Sequence, residues 1–499
     1  MRKALSRNPD VVMVTIAGYF LLAIIFRTIR SPALEVDETQ QALFAQYLLL
    51  GYGSQPPLYT WLQYGLNEII GASIASLSIL KNGLLFLSCL FYWLTARLLM
   101  PEDRALPNIA TLGILTLPPV FVMSQRDLSH TVLALFAVSL FLYGFVRTLK
   151  QPSLAGYVLT GIAIGIGGLA KYNFIPIPLA AIIAILPEKD LRARLLDWRL
   201  LLTIVIAGVV VSPHGLWMWE NLHIATAQTL GEMKEGSEQI KFDRLDGSKD
   251  LVLAAIKGIA LTTAIFAAIF YKNIREIISA SDQWTKVFGR ILLISFAIVL
   301  LVVVLVGVTH IRQKWLAVYI ALLPLYLALK IRASGIDAMP KLGSMLAVTA
   351  VLAVGFITVL LGRGLITPHF ERYSLVHIPY DRFGEAVRRE GHTEPQYVIA
   401  SGGLVGGNLK MQFPKALVLT GNRDVETFPA QLPQGATVLF AGTSNEGQRL
   451  DDPGAALNSL AARASLPAPT EIRNIEVPYA GAGGKRHSFY YAWETIGLK

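Results

Sequence analysis

Long apolar runs separated by short polar connectors occupy residues 1–362 of the chain. A helix that crosses a membrane needs about 20 mostly apolar residues. About eleven runs approach that length, and they lie at residues 11–29, 82–100, 106–123, 129–148, 154–170, 174–187, 199–217, 251–271, 290–308, 315–331 and 343–361. The pattern predicts a polytopic α-helical membrane protein.

Two apolar segments need a separate interpretation. Residues 57–80 carry Gln63 and Glu68 among their apolar positions, so we expect a helix that lies in the membrane interface instead of a span. The first apolar run is followed by Arg27 and not by the small residues of a cleavage site. We therefore expect that run to remain as the first span.

Basic residues are concentrated in the connectors that an eleven-span chain places on the side of its N-terminus. Such a bias marks the cytoplasmic side of a membrane protein. The connector around Asp37 then faces the opposite side. The same side holds the ionisable residues at the ends of later spans, which are Arg126, Asp127, His130, Lys171, His214, Glu220, His223, His310, Arg312 and Lys314.

The amino-acid composition agrees with a membrane protein and indicates which classes of partner to expect. Of the 499 residues, 54% are hydrophobic and 16% are charged, whereas soluble domains have roughly 25% charged residues. The net charge is +10, but the basic residues are dispersed among connectors, where they suit anionic lipids. We expect membrane lipids and no nucleic acid as partners. Cys89 is the one cysteine, which excludes an intrachain disulfide and a thiol metal site.

The pattern changes after residue 362. Short strand-like runs alternate with helix-like pieces, which predicts a small α/β domain at residues 363–499 after a transmembrane domain at residues 1–362. The segment SGGLVGGN at Ser401–Asn408 follows a predicted strand. Because its glycine spacing differs from that of GxGxxG dinucleotide sites, we predict a tight strand-to-helix turn there.

The first connector is the strongest candidate for chemistry. It holds Glu35, Asp37 and Glu38 just before a helical pattern. A carboxylate at Asp37 can accept a proton from a hydroxyl nucleophile as a general base, while Glu38 orients it or binds a cation or the sugar. The alternative is that these acids complement the dipole of the following helix. Acids near a membrane boundary favour the functional interpretation.

The later polar residues each have a functional and an ordinary interpretation. Arg126, Asp127 and His130 form either a substrate contact or a hairpin connector. Lys171-Tyr172 either holds a lipid phosphate or extends to the interface. Arg312 and Lys314 either bind phosphate oxygens or anchor the helix end.

His214, Glu220 and His223 have metal-capable side chains but lack the spacing typical of zinc sites. A divalent metal is therefore conceivable here, but we predict no metal ligand and no cofactor.

Several of these motifs together resemble a known family. Asp37-Glu38, the later Pro56-Pro57 pair and Lys171-Tyr172 resemble the GT-C fold glycosyltransferases that use polyprenyl-phosphate sugars. The segment SPHGLW, at Ser212–Trp217, is similar to the segment before that family's large outer loop. The resemblance covers roughly residues 10–320. It is closest to the family-39-like enzymes related to protein O-mannosyltransferases and the lipid A aminoarabinose transferase.

The resemblance implies a GT-C-like catalytic domain in the bacterial inner (plasma) membrane, with the active site and the C-terminal domain on the periplasmic side. The implied reaction moves a sugar, with inversion, from a polyprenyl monophosphate donor to an acceptor hydroxyl. The expected acceptor is lipid A, lipopolysaccharide or another envelope glycolipid. The implied catalytic residues are Asp37 and Glu38. The implied contacts to the donor phosphate are Lys171, Arg312, Lys314 and Arg126. The implied substrate contacts are Asp127, His130, Tyr172, His214 and Glu220.

Two other functions remain open from the sequence. The acceptor hydroxyl could belong to a protein, which would make the chain a protein O-glycosyltransferase. The chain could also be a transporter or flippase for a lipid-linked sugar. Transporters tend to have duplicated halves with broken helices, and the sequence has no visible internal repeat.

Overall fold

The computed structural model describes residues 8–126, 128–226, 244–308, 311, 313–390, 394–422, 425–426, 432–443, 452–464, 466–481 and 484–497. The chain divides into two compact units. The first unit comprises Met1–Leu21, Gly53–Tyr59 and Lys81–Phe356. The second unit comprises Leu22–Tyr52, Thr60–Leu80 and Ile357–Lys499.

Helices account for most of the described chain up to residue 365. The α-helices are α1 (Val11–Arg30), α2 (Val36–Phe44), α3 (Leu58–Ile70), α4 (Ile74–Leu99), α5 (Leu106–Ile114), α6 (Ser124–Arg126), α7 (Ser129–Lys150), α8 (Leu154–Ala170), α9 (Pro176–Ile185), α10 (Lys189–Arg192), α11 (Leu200–Glu220), α12 (Arg244–Ile269), α13 (Ile274–Ser279), α14 (Gln283–Val306), α15 (Gln313–Ile320), α16 (Leu323–Ala333) and α17 (Met339–Leu365). Shorter helical turns lie at Pro119–Met123 (π-helical) and at Tyr172–Phe174, Ala193–Leu196, Tyr271–Asn273, Thr367–Phe370 and Leu375–His377 (3₁₀).

Eight helical segments in the described part of the chain are long and apolar enough to cross a membrane, when α15 and α16 are counted together as Gln313–Ala333. The polytopic class is confirmed, but the predicted number of eleven spans is not. The predicted span at residues 106–123 consists of α5 and a π-helical turn. Two more apolar helices, Leu154–Ala170 and Tyr172–Ile185, are shorter than 18 residues.

The segment predicted as one interfacial helix is divided in the structure. Helix α3 ends at Ile70, and Gly71 adopts a left-handed conformation with φ of 81°. Glycine reaches that region without the steric cost of a Cβ. The remaining residues up to 80 belong to α4, which starts at Ile74 instead of near residue 82.

Glycines of α8 permit close packing against α11 in the first unit. A Cβ added to Gly165 would lie 2.6 Å from Val210 Cβ, and one added to Gly161 would lie 2.7 Å from Thr203 O. Small residues allow such close helix approach in membranes. The contact places the end of α8, where Lys171 follows, beside the α11 segment that contains His214.

The C-terminal region contains the predicted α/β domain. Its helices are α18 (Tyr380–Arg389), α19 (Gly403–Gln412) and α20 (Pro453–Arg463). Its strands are β1 (Tyr397–Ala400), β2 (Leu417–Leu419), β3 (Thr437–Thr443), β4 (Arg473–Pro478) and β5 (Arg486–Thr495). They form one sheet in the order β2-β1-β3-β5-β4. β1 is parallel to β2 and β3, whereas β5 is antiparallel to β3 and β4.

The sheet has a hydrophobic core on each face. Alternate side chains of a strand point to opposite faces, so Val398 joins one core and Ile399 joins the other. The core that contains Ile399 also contains Leu457 of α20. The core that contains Val398 includes Leu43 and Phe44 of α2. The helix that carries Asp37 therefore contributes residues to the hydrophobic core of the C-terminal sheet.

Candidate functional site

The helix that carries Asp37 begins with a reciprocal cap. Glu35 is the N-cap residue of α2, and its side chain accepts a hydrogen bond from the backbone N–H of Glu38. In return, Glu38 Oε2 accepts from the backbone N–H of Glu35 at 3.0 Å. Asp37 lies between them in the first turn, where the helix dipole stabilises a carboxylate. The first turn of a helix is therefore a favourable position for this acid whatever its chemical role.

Two arginines at the end of α1 pair with the acids that flank Asp37. Arg27 Nη2 lies 2.5 Å from Glu38 Oε2, and Arg30 Nη2 lies 2.8 Å from Glu35 Oε1. The Arg27 and Glu38 side chains are 7% and 2% exposed, whereas Asp37 is half-buried. These contacts make Glu38 an anchor of the helix start, and the chemical roles of Asp37 and Glu38 stay predictions.

Arg27 also fixes the turn between α1 and α2. Its Nη1 donates to the carbonyl oxygen of Ser31, and its Nη2 donates to that of Ala33, both at 3.0 Å. A planar guanidinium has donors on fixed axes and can satisfy a carboxylate and carbonyl oxygens together. The turn that leads to Asp37 is consequently held from within.

Lys171 lies in the first unit, where it ends α8. Its ammonium donates to Thr131 Oγ1 at 2.8 Å. Thr131 is in the first turn of α7, next to His130, whose ring centroid lies 5.8 Å from that of Tyr59. The structure thus brings the predicted residues Lys171 and His130 to the same end of the α7–α8 pair.

Tyr172 and His214 form a stacked and hydrogen-bonded pair. Tyr172 Oη lies 2.9 Å from His214 Nε2, and their ring planes are 12° apart. His214 also stacks on Trp217 at a centroid distance of 5.6 Å. His214 is buried, whereas Glu220 is exposed at the end of α11. The pair Tyr172–His214 therefore joins the α8–α9 turn to α11, and Glu220 is not part of this contact.

Two of the predicted ionisable residues in the later connectors, Lys314 and Arg126, lie in the described part of the chain. Lys314 is half-buried in the first turn of α15. Arg126 ends the short helix α6, and the predicted residues Asp127 and Arg312 lie outside the described residues. Leu128 has a φ of 73°, a left-handed conformation that is costly for a residue with a branched side chain and often marks functional segments.

Asn173 was missed by the sequence analysis. Its Nδ2 donates to the backbone carbonyl oxygen of Trp315 at 2.8 Å, and its backbone carbonyl oxygen accepts from Tyr319 Oη at 2.6 Å. Lys171, Tyr172 and Asn173 thus bond to three different helices, which are α7, α11 and α15. No periodicity marks Asn173, but its place directly after Lys171-Tyr172 was a usable signal.

The described residues contain no group of three or more His, Cys, Asp or Glu side chains placed to hold a metal ion. His214, which was considered as a metal-capable residue, uses its Nε2 in the contact with Tyr172.

Three comparisons relate the chain to known proteins. The family model described as dolichyl-phosphate-mannose-protein mannosyltransferase matches residues 54–217. Lipopolysaccharide core galacturonosyltransferase RgtB of Rhizobium johnstonii is 40% identical over 99% of both chains. The core galacturonosyltransferase RgtA of the same organism is 39% identical, also over 99% of both chains.

A solved structure agrees with the architecture. ArnT from Cupriavidus metallidurans bound to undecaprenyl phosphate superimposes with a TM-score of 0.61, covering 97% of this chain and 98% of that chain. The sequence identity is 14%, so the likeness concerns the fold alone. It confirms the GT-C-like architecture with a small C-terminal sheet domain.

Proposed function

Because the chain belongs to the family of lipopolysaccharide core galacturonosyltransferases, which are membrane glycosyltransferases of the GT-C fold, we propose that it transfers a galacturonosyl unit to a hydroxyl of the lipopolysaccharide core. The observation that carries this proposal is 40% identity to RgtB along 99% of both chains. Full-length similarity at this level supports a shared reaction class, which is glycosyl transfer.

The donor in this proposal is a polyprenyl monophosphate sugar. The structural relative was solved with undecaprenyl phosphate, which is the carrier left after such a sugar is transferred. We place the reaction at the periplasmic face of the bacterial inner membrane, which the family resemblance implies. The distribution of basic connectors supports this side, because it puts the connector around Asp37 opposite the cytoplasm.

Asp37 acts in this mechanism as the general base. Its carboxylate takes the proton of the acceptor hydroxyl while the oxygen forms a bond to the anomeric carbon. The bond from that carbon to the phosphate oxygen breaks through an oxocarbenium-like transition state. The electron pair of the broken bond leaves with the phosphate, so the leaving group needs no proton.

The growing charge on the phosphate needs fixed cations. Lys171 is the proposed contact whose position is best defined, because its ammonium is held by Thr131 Oγ1. Lys314, Arg312 and Arg126 are further proposed contacts. Positively charged groups that are fixed before the reaction stabilise such charge without reorganisation.

The proposal is tested by purified protein in proteoliposomes with undecaprenyl-phosphate [¹⁴C]galacturonic acid as donor. The acceptor is lipopolysaccharide whose core lacks galacturonic acid. We expect label in the core oligosaccharide after mild acid hydrolysis, and we expect Asp37→Asn to abolish it. Asp246→Asn, which changes an exposed acid in the first turn of α12, is the matched control.

A protein acceptor is the second candidate, because the matching family model is described by protein mannosyl transfer. The same reaction is therefore run with total membrane protein and with lipid A as acceptors. Label in protein would favour this alternative, and label in lipid A would keep the reaction class but change the acceptor. Absence of transfer from the galacturonosyl donor to all three acceptors would contradict the proposal.

A further inference from the structure

Helix α19 of the C-terminal domain lies directly against α2, the helix that begins beside Asp37. Both helices belong to the second unit. A Cβ added to Gly407 would lie 2.5 Å from Thr39 Cα, Cβ and O, and one added to Gly406 would lie 3.3 Å from Leu43 Cδ2. The backbones of the two helices therefore meet at Gly407, where α19 has no space for a side chain against Thr39.

This packing changes the meaning of the SGGLVGGN segment. The predicted strand-to-helix turn lies between the end of β1 at Ala400 and the start of α19 at Gly403. The turn is shorter than the segment, so Gly406 and Gly407 lie inside the helix. Glycine inside a helix costs about 1 kcal/mol relative to alanine. The contact with Thr39 gives the physical reason for glycine at position 407.

Asn408 connects α19 to the turn that precedes α2. Its Oδ1 accepts a hydrogen bond from the backbone N–H of Leu34 at 2.8 Å, and its Nδ2 donates to Leu404 O at 2.9 Å. The side chain is 1% exposed. A buried amide with both ends bonded has one fixed orientation, and removal of one partner leaves the other group unsatisfied.

The far end of α2 is also connected to the C-terminal sheet. The amide of Gln46 accepts from Val418 N at 2.9 Å and donates to Val418 O at 3.1 Å. Val418 lies on β2, the edge strand of the sheet. Gln46 therefore covers the open edge of the sheet, as a neighbouring strand would.

Helix α19 is itself firmly placed. It follows β1 directly, and Lys410 near its C-terminal end donates from Nζ to Ala416 O at 2.8 Å. Burial lowers the pKa of Lys410 to about 8. The element that contacts α2 is thus fixed at both ends within the α/β domain.

From these contacts we infer that Gly407 and Asn408 are positioning residues that set the location of Asp37 through α2. The inference rests on the proposed role of Asp37 as the base, and it gives the C-terminal domain a function in the reaction. A shift of α2 moves the Asp37 carboxylate relative to the acceptor hydroxyl. A misplacement of about 1 Å can reduce the rate about 100-fold.

The test uses the full-length protein in proteoliposomes and compares Gly407→Ala with Gly402→Ala. A Cβ at Gly402 would have nothing within 4 Å, so Gly402→Ala is the matched control and keeps the wild-type kcat. We expect Gly407→Ala to lower kcat about 10- to 100-fold, with the KM for the donor unchanged. A thermal unfolding midpoint near that of the wild type shows that the variant is folded.

A second pair of variants keeps the test decisive if Gly407→Ala does not fold. Asn408→Leu removes the acceptor for Leu34 N, whereas Asn408→Asp keeps an oxygen there. We expect kcat to fall about tenfold in Asn408→Leu, the size of one lost hydrogen bond. Asn408→Asp keeps the acceptor for Leu34 N but loses the donor to Leu404 O, so we expect kcat to recover in part.

A reaction with azide in place of the acceptor distinguishes a misplaced base from a general structural defect. Azide is an anionic nucleophile without a proton, so it attacks the anomeric carbon, displaces the phosphate and needs no base. We expect azide to form galacturonosyl azide with Asp37→Asn, Gly407→Ala and Asn408→Leu at similar rates.

Rescue of Asp37→Asn alone would retain the base and reject the positioning role. Wild-type kcat in folded Gly407→Ala and Asn408→Leu, or a change confined to the KM for the acceptor, would also overturn it. Failure of azide to rescue Asp37→Asn, or wild-type turnover in that variant, would remove the base assignment on which the inference rests.

Discussion

The surroundings of Asp37 and those of Lys171 are held together by different interactions. Beside Asp37, arginines of α1 pair with Glu35 and Glu38 over 2.5–2.8 Å. Lys171 donates to a neutral hydroxyl, and Tyr172 pairs with the imidazole of His214. Full charges anchor one region, and hydrogen bonds to uncharged groups are prominent in the other. Removal of one partner from a buried ion pair costs about 3–5 kcal/mol of stability, because the other charge is left uncompensated. The two regions should therefore respond differently to substitution.

The largest effect is expected from Asp37 itself. Asp37→Asn keeps the size of the side chain and its place in the first turn but removes the proton acceptor. General bases contribute about 10²- to 10⁴-fold, and we expect kcat to fall within that range without a change in membrane insertion. Asp246→Asn should retain wild-type kcat. Equal turnover in wild type and Asp37→Asn would place the base elsewhere.

Loss of an arginine tests the charge-paired side of the comparison. Arg27→Gln leaves the buried Glu38 carboxylate without its cation, and we expect a loss of about 3–5 kcal/mol in the free energy of unfolding. Arg97→Gln is the matched control, because Arg97 pairs with Asp10 at 3.8 Å and is 54% exposed. That surface pair should contribute less than about 1 kcal/mol. Chemical denaturation in detergent measures both, and equal losses would contradict the distinction.

Substitution of Lys171 tests the region around the α8–α9 turn. Lys171→Gln removes a charge proposed to contact the donor phosphate, and we expect kcat/KM to fall about 10²-fold, as for the loss of one transition-state donor. Lys171→Arg keeps the charge but not the point geometry and should be intermediate. Lys249→Gln, at an exposed pair with Asp246, is the control. Unchanged kcat/KM for Lys171→Gln would exclude the phosphate role.

The smallest effect is expected at Tyr172. Tyr172→Phe removes one hydrogen bond to His214, worth about 0.5–1.5 kcal/mol, and we expect kcat/KM to fall by tenfold or less. Tyr157→Phe removes a comparable bond to Arg194 O at the other end of α8 and should leave kcat/KM unchanged. A loss as large as that of Asp37→Asn would mean that Tyr172 touches the reacting groups.

The sequence predicted those parts of the structure that depend on local pattern. The long apolar runs were sufficient to predict the polytopic helical class but not the number of spans. Short strand-like runs were sufficient to predict the strands of the C-terminal domain. The sequence could not reveal the helix break at Gly71, because glycine is tolerated within membrane helices. The left-handed φ of Gly71 follows from tertiary context.

Candidate site residues could be chosen from the sequence where a residue type carries its own chemistry, and their roles stay predictions. Asp37, Lys171 and His214 were recognisable as ionisable groups near span ends. Arg27 was interpreted only as the end of a span, although its charge opposes Glu38 eleven residues later. Gly407 was not recognised because its importance lies in what touches it, and packing between distant segments leaves no local pattern.

The bond between Leu34 and Asn408 joins residues that are 374 positions apart. A chain is synthesised from its N-terminus at about 5–20 residues per second, so the segment with Asp37 leaves the ribosome well before its partner exists. The turn that precedes α2 therefore makes its hydrogen bond to Asn408 only after about four fifths of the polypeptide has been made. A truncated product that stops before Asn408 would insert its membrane helices but would lack this tether next to Asp37.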